Sequence, residues 1–148
     1  MKRISVILLA ASIGIMLLSA CGSAANETDA ATAPIEASAE NVLFIINRAD
    51  GSTYDVTLDA VKALPLAQVQ AEGKVEEGPY LKDVLALAGV TEFNEVSLSG
   101  SSNPVTLTFE QVNENTILDF NNHGTMKLSS TYIPKPEWTK DVAEIIVK

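Results

Sequence analysis

The chain has 148 residues, with 19 acidic and 10 basic side chains, a net charge of −9 at neutral pH and a single cysteine. An acidic surface repels nucleic acid and anionic lipid headgroups, so the composition argues against a nucleic-acid-binding protein. One cysteine also excludes a framework of disulfides within the chain.

The first twenty residues have the pattern of a secretory signal peptide. The basic pair Lys2-Arg3 precedes an apolar run over residues 4–18, which is short for a membrane span. The run ends in Leu18-Ser19-Ala20-Cys21, which resembles the lipobox of bacterial lipoproteins. The resemblance implies cleavage before Cys21, lipid attachment at its sulfur and anchoring to the bilayer on the extracytoplasmic side. An ordinary signal peptide or an N-terminal transmembrane anchor is the alternative.

Three regions follow from this pattern. Residues 1–20 are the predicted signal peptide, and residues 21–40 are predicted to be a lipidated, flexible tether rich in Ala, Ser, Thr and Asn. Residues 41–148 are predicted to be one folded domain, which is an ordinary size for a single hydrophobic core.

From residue 41 to residue 90, the pattern predicts three strands and two short helices. Dense β-branched runs or polar–apolar alternation indicate the strands, while Pro65 and Gly89 end the helices and Asp50-Gly51 turns the first hairpin. In chain order these elements are a strand at Val42–Ile46, a strand at Thr53–Val56, a helix at Leu58–Leu64, a strand at Ala67–Ala71 and a helix at Pro79–Ala88.

From residue 91 onward, the pattern predicts further strands around one helical turn, for which Thr108 and Gln111 fit a capping box. In chain order these elements are strands at Glu95–Ser99 and Val105–Thr108, the turn at Thr108–Val112, and strands at Thr116–Phe120, Met126–Ile133 and Val142–Val147. The whole predicts an α+β fold, mostly β with three short helices, in a single domain.

The residues do not form a complete catalytic constellation. His123 is the only histidine, no Gly-x-Ser-x-Gly elbow is present, and Asn121–Gly124 is predicted to be a surface turn. One histidine and a lipidated Cys21 cannot build a His/Cys metal site, so no metal is expected. Glu76-Glu77 precedes a predicted helix and is interpreted as favourable charge at its N-terminus, or else as an acidic rim around a pocket.

Four aromatic or imidazole side chains are candidates for contact with a ligand or partner, namely Tyr80, His123, Tyr132 and Trp138. Tyr132 and Trp138 belong to the densest cluster of proline and aromatic residues in the chain, and such residues often anchor interfaces. The alternative is a proline-rich connector that places Trp138 on the core before the last strand.

Four segments carry a family resemblance. Thr57–Pro65 is similar to a strand followed by a helix that ends in Leu-Pro, and Gly78–Val90 to a Gly-x-x-Leu-x-Asp-Leu-Leu-x-x-Ala-Gly-Val helix. Val105–Val112 and Trp138–Val142 are similar to the next strand with its turn and to the closing strand. In this order they resemble the oxidoreductase molybdopterin-binding domain, the sulfite-oxidase-like fold. The resemblance implies that fold, a molybdopterin cofactor and redox activity.

The sequence departs from this family at the metal. The resemblance implies a cysteine ligand to molybdenum between the two helices, where this chain has Val69–Lys74 without a cysteine. A glutamate does not replace the soft thiolate. Arg48 is the only arginine after Cys21, and the acidic surface disfavours an anionic cofactor. We therefore predict the family's scaffold without molybdenum chemistry and without a cofactor.

The leading hypothesis is a lipid-anchored binding or accessory module at the cell surface, whose ligand is a small molecule or a membrane protein. One alternative is a redox protein that binds molybdopterin without the cysteine ligand. The other is a small solute-binding lipoprotein that supplies a transporter. The residues lean against an enzyme because neither a metal ligand nor a catalytic constellation is complete.

Overall fold

The computed structural model describes residues 41–148 of the chain. The predicted signal peptide at 1–20, Cys21 and the predicted tether at 21–40 lie outside the described residues. Within residues 41–148, no helix is both long enough and apolar enough to cross a membrane.

Short strands dominate the described part, and two α-helices interrupt them. The strands are β1 Val42–Asn47, β2 Thr53–Thr57, β3 Ala67–Ala71, β4 Lys74–Gly78, β5 Glu95–Ser99, β6 Val105–Thr108, β7 Thr116–Phe120, β8 Met126–Ser130 and β9 Glu144–Val147. The helices are α1 Leu58–Lys62, which the Thr57 side chain caps, and α2 Leu81–Leu87. Each strand spans four to six residues, so stability depends on packing between elements more than on any one of them.

Five strands form the main sheet, in the order β2-β1-β9-β5-β6. Neighbours run antiparallel except β1 and β9, which are parallel and place Ile46 opposite Ile145. β9 is therefore the central strand, and it pairs with the β1–β2 hairpin on one edge and with the β5–β6 hairpin on the other. Two further hairpins, β3–β4 and β7–β8, form separate two-stranded sheets.

One face of the main sheet carries the hydrophobic core. Side chains alternate between the two faces of a strand, so Ile145 is buried while its neighbour Ile146 is 37% exposed. The main residues of the core from the sheet, α2 and the β7–β8 hairpin are Ile46, Val56, Val96, Leu98, Leu107, Ile145, Leu81, Val84, Leu85, Leu118 and Leu128. Their period-2 and helical spacings are those that the sequence analysis used.

The predicted α+β class with three short helices is wrong. Within residues 41–148 the fold is mostly β, with two α-helices of which α2 alone reaches seven residues. The predicted helical turn at Thr108–Val112 is a 3-10 turn at Phe109–Gln111, closed by the Val112 amide donating to the Phe109 carbonyl at 3.1 Å. Seven residues separate β6 from β7, and the helical turn among them spans only three, which is too short for the i→i−4 bonds of an α-helix.

The β4 strand was missed by the sequence analysis. Its sequence, Lys-Val-Glu-Glu-Gly, has little apolar character, and charged residues and glycine are poor strand formers. A two-residue turn at Glu72 and Gly73, with φ of 48° and 78°, nevertheless folds the chain back onto β3. Positive φ at both positions is the signature of a type I′ turn, whose twist matches that of a hairpin.

A close crossing of backbones positions the β3–β4 hairpin on the β7–β8 hairpin. A Cβ atom added to Gly78 would lie 2.0 Å from the carbonyl oxygen of Leu118, so this position is restricted to glycine. Just beyond it, the Leu118 amide donates to the Pro79 carbonyl at 3.0 Å, and Tyr80 bridges to Ile117. Because Tyr80 is extended and both Pro79 and Tyr80 pair with β7, α2 begins at Leu81 and not at the predicted Pro79.

Candidate functional site

Four charged side chains from separate segments meet where the two small hairpins pack together. Glu76 on β4, Asp119 on β7, Lys127 on β8 and Lys135 before Trp138 are here called the Glu76 cluster. Lys127 Nζ lies 3.0 Å from Glu76 Oε2 and 2.9 Å from Asp119 Oδ2, and Lys135 Nζ lies 2.7 Å from Glu76 Oε1. The side chains of both acids are only 12% exposed. Two carboxylates and two ammonium groups thus balance one another in a largely desolvated place.

The protonation of this cluster is set by competition between burial and pairing. Burial would raise the pKa of Glu76, but hydrogen bonds from Lys135 and Lys127 outweigh it and lower the pKa to about 2. Burial, together with the adjacent Glu76, raises the pKa of Asp119 in spite of Lys127. Burial lowers the pKa of Lys127, but bonds to Asp119 and Glu76 raise it by more. Glu76 therefore carries the firm negative charge of the pair, and Asp119 is the carboxyl that takes up a proton first.

Trp138 packs against the two lysines of the Glu76 cluster. Its ring is 3% exposed, and its Nε1–H donates to the carbonyls of Ser130 at 3.1 Å and Ile133 at 3.0 Å. Lys135 Nζ lies 5.1 Å and Lys127 Nζ 5.9 Å from the ring centroid, within reach of a cation–π interaction. The ring thus holds both ammonium groups in place against the carboxylates.

Open cavities surround the Glu76 cluster. A cavity of about 590 Å³ lies between β4 and the end of β7, with Val75 and Phe120 in its walls. A second, of about 410 Å³, is lined by Tyr132 and Trp138, and a third, of about 340 Å³, by Trp138 and Lys140. Volumes of roughly 300–1,000 Å³ are typical of ligand pockets, so each has room for a small molecule or a few side chains.

The structure brings together two of the four predicted contact residues. Tyr132 is 43% exposed, and its hydroxyl accepts a hydrogen bond from Asn113 Nδ2 at 2.6 Å, which lowers the pKa of the phenol. It shares a cavity wall with Trp138, whose ring is held on the core as the connector interpretation states. Tyr80 is half-buried with Lys82 Nζ 5.1 Å from its ring centroid, and His123 is exposed in the turn after β7. Cys21 lies outside the described residues.

The two lysines of the site could not be predicted from the sequence. Lys127 and Lys135 come from elements that follow β4 by some fifty residues, so no local spacing relates them to Glu76. The Glu76-Glu77 pair was noticed, and the structure places both residues on the wall of the largest of these cavities, as the acidic-rim interpretation expects. Glu76, however, is paired with lysines and not with the N-terminus of α2.

The segment in which the family resemblance implies a cysteine ligand to molybdenum offers no thiolate. Residues 69–74 form the tip of the β3–β4 hairpin and contain no cysteine. At the tip, the Glu72 carboxylate accepts a hydrogen bond from the Lys135 amide at 3.1 Å. Among residues 41–148, no three His, Cys, Asp or Glu side chains are arranged to hold a metal ion. In the segment where the family resemblance implies a cysteine, this chain therefore has a hairpin turn without one.

Comparisons with known proteins support the fold at a distance. No family model and no curated protein matches the sequence. Among solved structures, the chain is similar to the sulfane dehydrogenase SoxCD from Paracoccus pantotrophus, with a TM-score of 0.54 and 19% identity. The match covers 70% of this chain and 37% of the SoxCD chain. At 19% identity this match shows a similarity of fold alone, and it supports the predicted resemblance only as a distant relationship of fold.

Proposed function

We propose that this protein is an exported, lipid-anchored binding or accessory module, built on a molybdopterin-oxidoreductase-like fold that has lost its molybdenum chemistry. The observation that carries the proposal is the turn at Glu72-Gly73, because it lies in the segment where the resemblance implies a cysteine and that segment has none. A fold supports many functions, and activity belongs to the site and not to the scaffold. The lipobox-like sequence that ends at Cys21 supports the proposed location at a membrane.

The surface around the Glu76 cluster supports binding more than catalysis. Its four charged groups neutralise one another at 2.7–3.0 Å, and Glu76, whose pKa is lowered to about 2, is a poor proton acceptor near neutral pH. Its cavities are open and partly apolar, and they suit contact with a ligand or partner.

Metal content tests this proposal directly. The full chain is produced in a bacterium that makes molybdopterin, and the purified protein is analysed for molybdenum and for pterin fluorescence after acid release. We expect neither at a stoichiometric level. One molybdenum per chain would overturn the proposal and favour the redox alternative.

Solute binding is a second candidate, and the cavity beside Tyr132 and Trp138 favours it. An aromatic wall next to a polar rim is the composition of many small-molecule sites. A ligand at 100 times its dissociation constant stabilises a protein by about 2.7 kcal/mol, which a thermal-shift screen of solutes detects. A screen without any stabilising solute would leave a macromolecular partner as the ligand.

A further inference from the structure

The outer edge of β4 lines the cavity of about 590 Å³ through Val75, Glu76 and Glu77. On its other edge β4 pairs with β3, and beyond Gly78 the chain pairs with β7. Asp119 and Phe120, at the end of β7, also line this cavity. The walls of this groove therefore include a stretch of strand edge as well as side chains.

The direction of the β4 backbone groups follows from the hairpin geometry. Ala71 and Lys74 flank the two-residue turn, so they form a hydrogen-bonded pair. Hydrogen-bonded and non-hydrogen-bonded pairs alternate along an antiparallel ladder, so Val69–Glu76 is bonded and Gln70–Val75 and Gln68–Glu77 are not. The N–H and C=O groups of Val75 and Glu77 consequently point away from β3, along the edge that faces the groove.

These groups have no backbone partner within the described part of the chain. The backbone hydrogen bonds that residues 41–148 make outside their strand ladders and helices involve neither Val75 nor Glu77. A row of unpaired donors and acceptors on a strand edge is a template for another strand. The β4 edge has neither a proline nor a bulge to block such pairing.

Apolar side chains beside the edge are also exposed. Leu66 is 58% and Val75 59% exposed, the largest exposed fractions among the large hydrophobic residues of the described chain, and both line the groove. Phe120 contributes to the wall from β7. Contact with these side chains would add burial of apolar surface to the hydrogen bonds of an added strand.

The charges of the groove define the chemistry of the added strand. Lys127 is already paired with Glu76 and Asp119, whereas the Glu77 carboxylate forms no salt bridge within residues 41–148 and accepts a hydrogen bond from Gln68 Nε2 at 2.9 Å. Lys62 also lines the groove. On the exposed face of the hairpin, Val75 and Glu77 are two residues apart, so a strand beside them would meet an apolar position and then an acidic one.

We propose that the free edge of β4 binds an extended segment of a partner protein by strand addition, and that this segment carries an apolar residue and a lysine or arginine two positions apart. This inference deepens the proposed binding function by naming the class of partner. Main-chain hydrogen bonds to Val75 and Glu77 supply affinity, and the side chains of Val75, Leu66 and Glu77 supply selectivity.

Two proline variants of the full chain test the free edge of β4 separately from the opposite edge of the same hairpin. Val75→Pro removes an N–H that points into the groove and no bond to β3. Gln70→Pro is the matched control, because the Gln70 N–H points from β3 to the opposite edge of the same hairpin. Both variants are checked for an unchanged far-ultraviolet spectrum and for similar melting temperatures.

The probe is a random heptapeptide display library, panned on the full chain in detergent micelles. We expect enrichment on the wild type and on Gln70→Pro, with the apolar-x-basic pattern, and binding weaker by about tenfold or more on Val75→Pro. Glu77→Lys should replace the basic position of the selected peptides by an acidic one.

Three outcomes would overturn the inference. The first is no enrichment of peptides above the Val75→Pro background, and the second is an equal loss of peptide binding in Gln70→Pro. The third is a dimer, detected by light scattering, that Val75→Pro dissociates, because it would identify a second copy of this chain as the occupant. Molybdenum content plays no part in these measurements. A failure of strand addition is therefore distinct from a failure of the proposed function, which would be seen as stoichiometric metal.

Discussion

Glu76 is the residue on which the polar contacts between the two small hairpins depend most. It is the only side chain of its cluster that bonds both lysines, and it does so at 12% exposure. Hydrogen bonds to a charged group contribute about 1.5–3 kcal/mol each when the partner is otherwise left buried. We therefore expect Glu76→Gln to lower the free energy of unfolding by about 2 kcal/mol near neutral pH. The adjacent Glu77→Gln, on an exposed residue, should change it by less than about 0.5 kcal/mol.

The pH dependence of this difference has a definite sign. The pKa of Glu76 falls from its ordinary 4.5 to about 2 on folding, so its stabilising effect is complete above the unfolded pKa and is lost as the pH drops from about 4.5 to about 2. Asp119, whose pKa is raised, acts in the opposite sense, and the comparison of variants separates the two. Urea unfolding across this range should show wild type and Glu76→Gln converging at low pH. A constant difference would contradict the ion-pair account.

Two neighbouring serines on β8 give a matched test of buried hydrogen bonding. Ser129 and Ser130 are both fully buried, but the Ser130 hydroxyl bonds Thr116 Oγ1 at 2.9 Å and accepts from the Tyr132 amide at 3.2 Å, whereas Ser129 Oγ has no partner within residues 41–148. Ser129→Ala should be neutral or stabilising by up to about 1 kcal/mol, and Ser130→Ala should cost about 1–2 kcal/mol. Chemical denaturation of both variants measures the contrast. A larger cost at Ser129 would show that its hydroxyl is satisfied in solution.

At the residue scale, local sequence patterns predicted a contact within one turn but not the contacts between distant segments. The Thr108–Gln111 capping pair is present, with the Thr108 amide donating to Gln111 Oε1 at 3.0 Å, because both residues belong to one turn. Lys127 and Lys135 could not be assigned to Glu76, since their meeting depends on how two hairpins cross. An ion pair between residues some fifty positions apart produces no recognisable pattern in the local sequence.

Among the elements, the crossing of β4 over β7 is the most sensitive to substitution. A Cβ at Gly78 would collide with the Leu118 carbonyl, which is backbone and cannot rotate away. We expect Gly78→Ala to cost about 3 kcal/mol or more, because relief requires the hairpins to separate. Gly51→Ala is the control, since its site is open and its φ of 83° costs only about 1–2 kcal/mol in the β1–β2 turn. Thermal unfolding of both variants gives the comparison, and equal losses would contradict the close crossing.

Element prediction succeeded where a segment has its own periodicity and failed where the neighbours decide. The apolar alternation of β5 and the helical apolar face of α2 predicted both elements within a few residues. β4 has no such pattern, because its strand conformation follows from the turn at Glu72-Gly73 and from pairing with β3. The predicted third helix failed for the opposite reason, because a capping pair defines how a turn begins but not how long it lasts.

At the scale of the whole molecule, the order of elements carried more information than their class. The resemblance through segments such as Gly78–Val90 predicted a sulfite-oxidase-like fold, and the similarity to SoxCD confirms it at the level of fold. The α+β class failed because two short helices contribute little beside nine strands in residues 41–148. The order of the strands could not be predicted from the sequence, because β9 lies at the centre of the main sheet through pairing with strands far away in the chain.

Lipid at Cys21 would determine where the whole molecule resides. If Cys21 is lipidated, its acyl chains contribute about 0.8 kcal/mol for each buried methylene, so two or three chains hold the protein at the bilayer. Cys21→Ser should therefore move the protein from the membrane fraction to the soluble fraction, and the mass of the wild-type protein should exceed that of the processed chain by the acyl groups. Ser19→Thr, which keeps the cysteine, is a control that should remain membrane-bound. Fractionation followed by intact-mass measurement decides the matter, and a Cys21→Ser variant that stays in the membrane without added mass would contradict lipid anchoring.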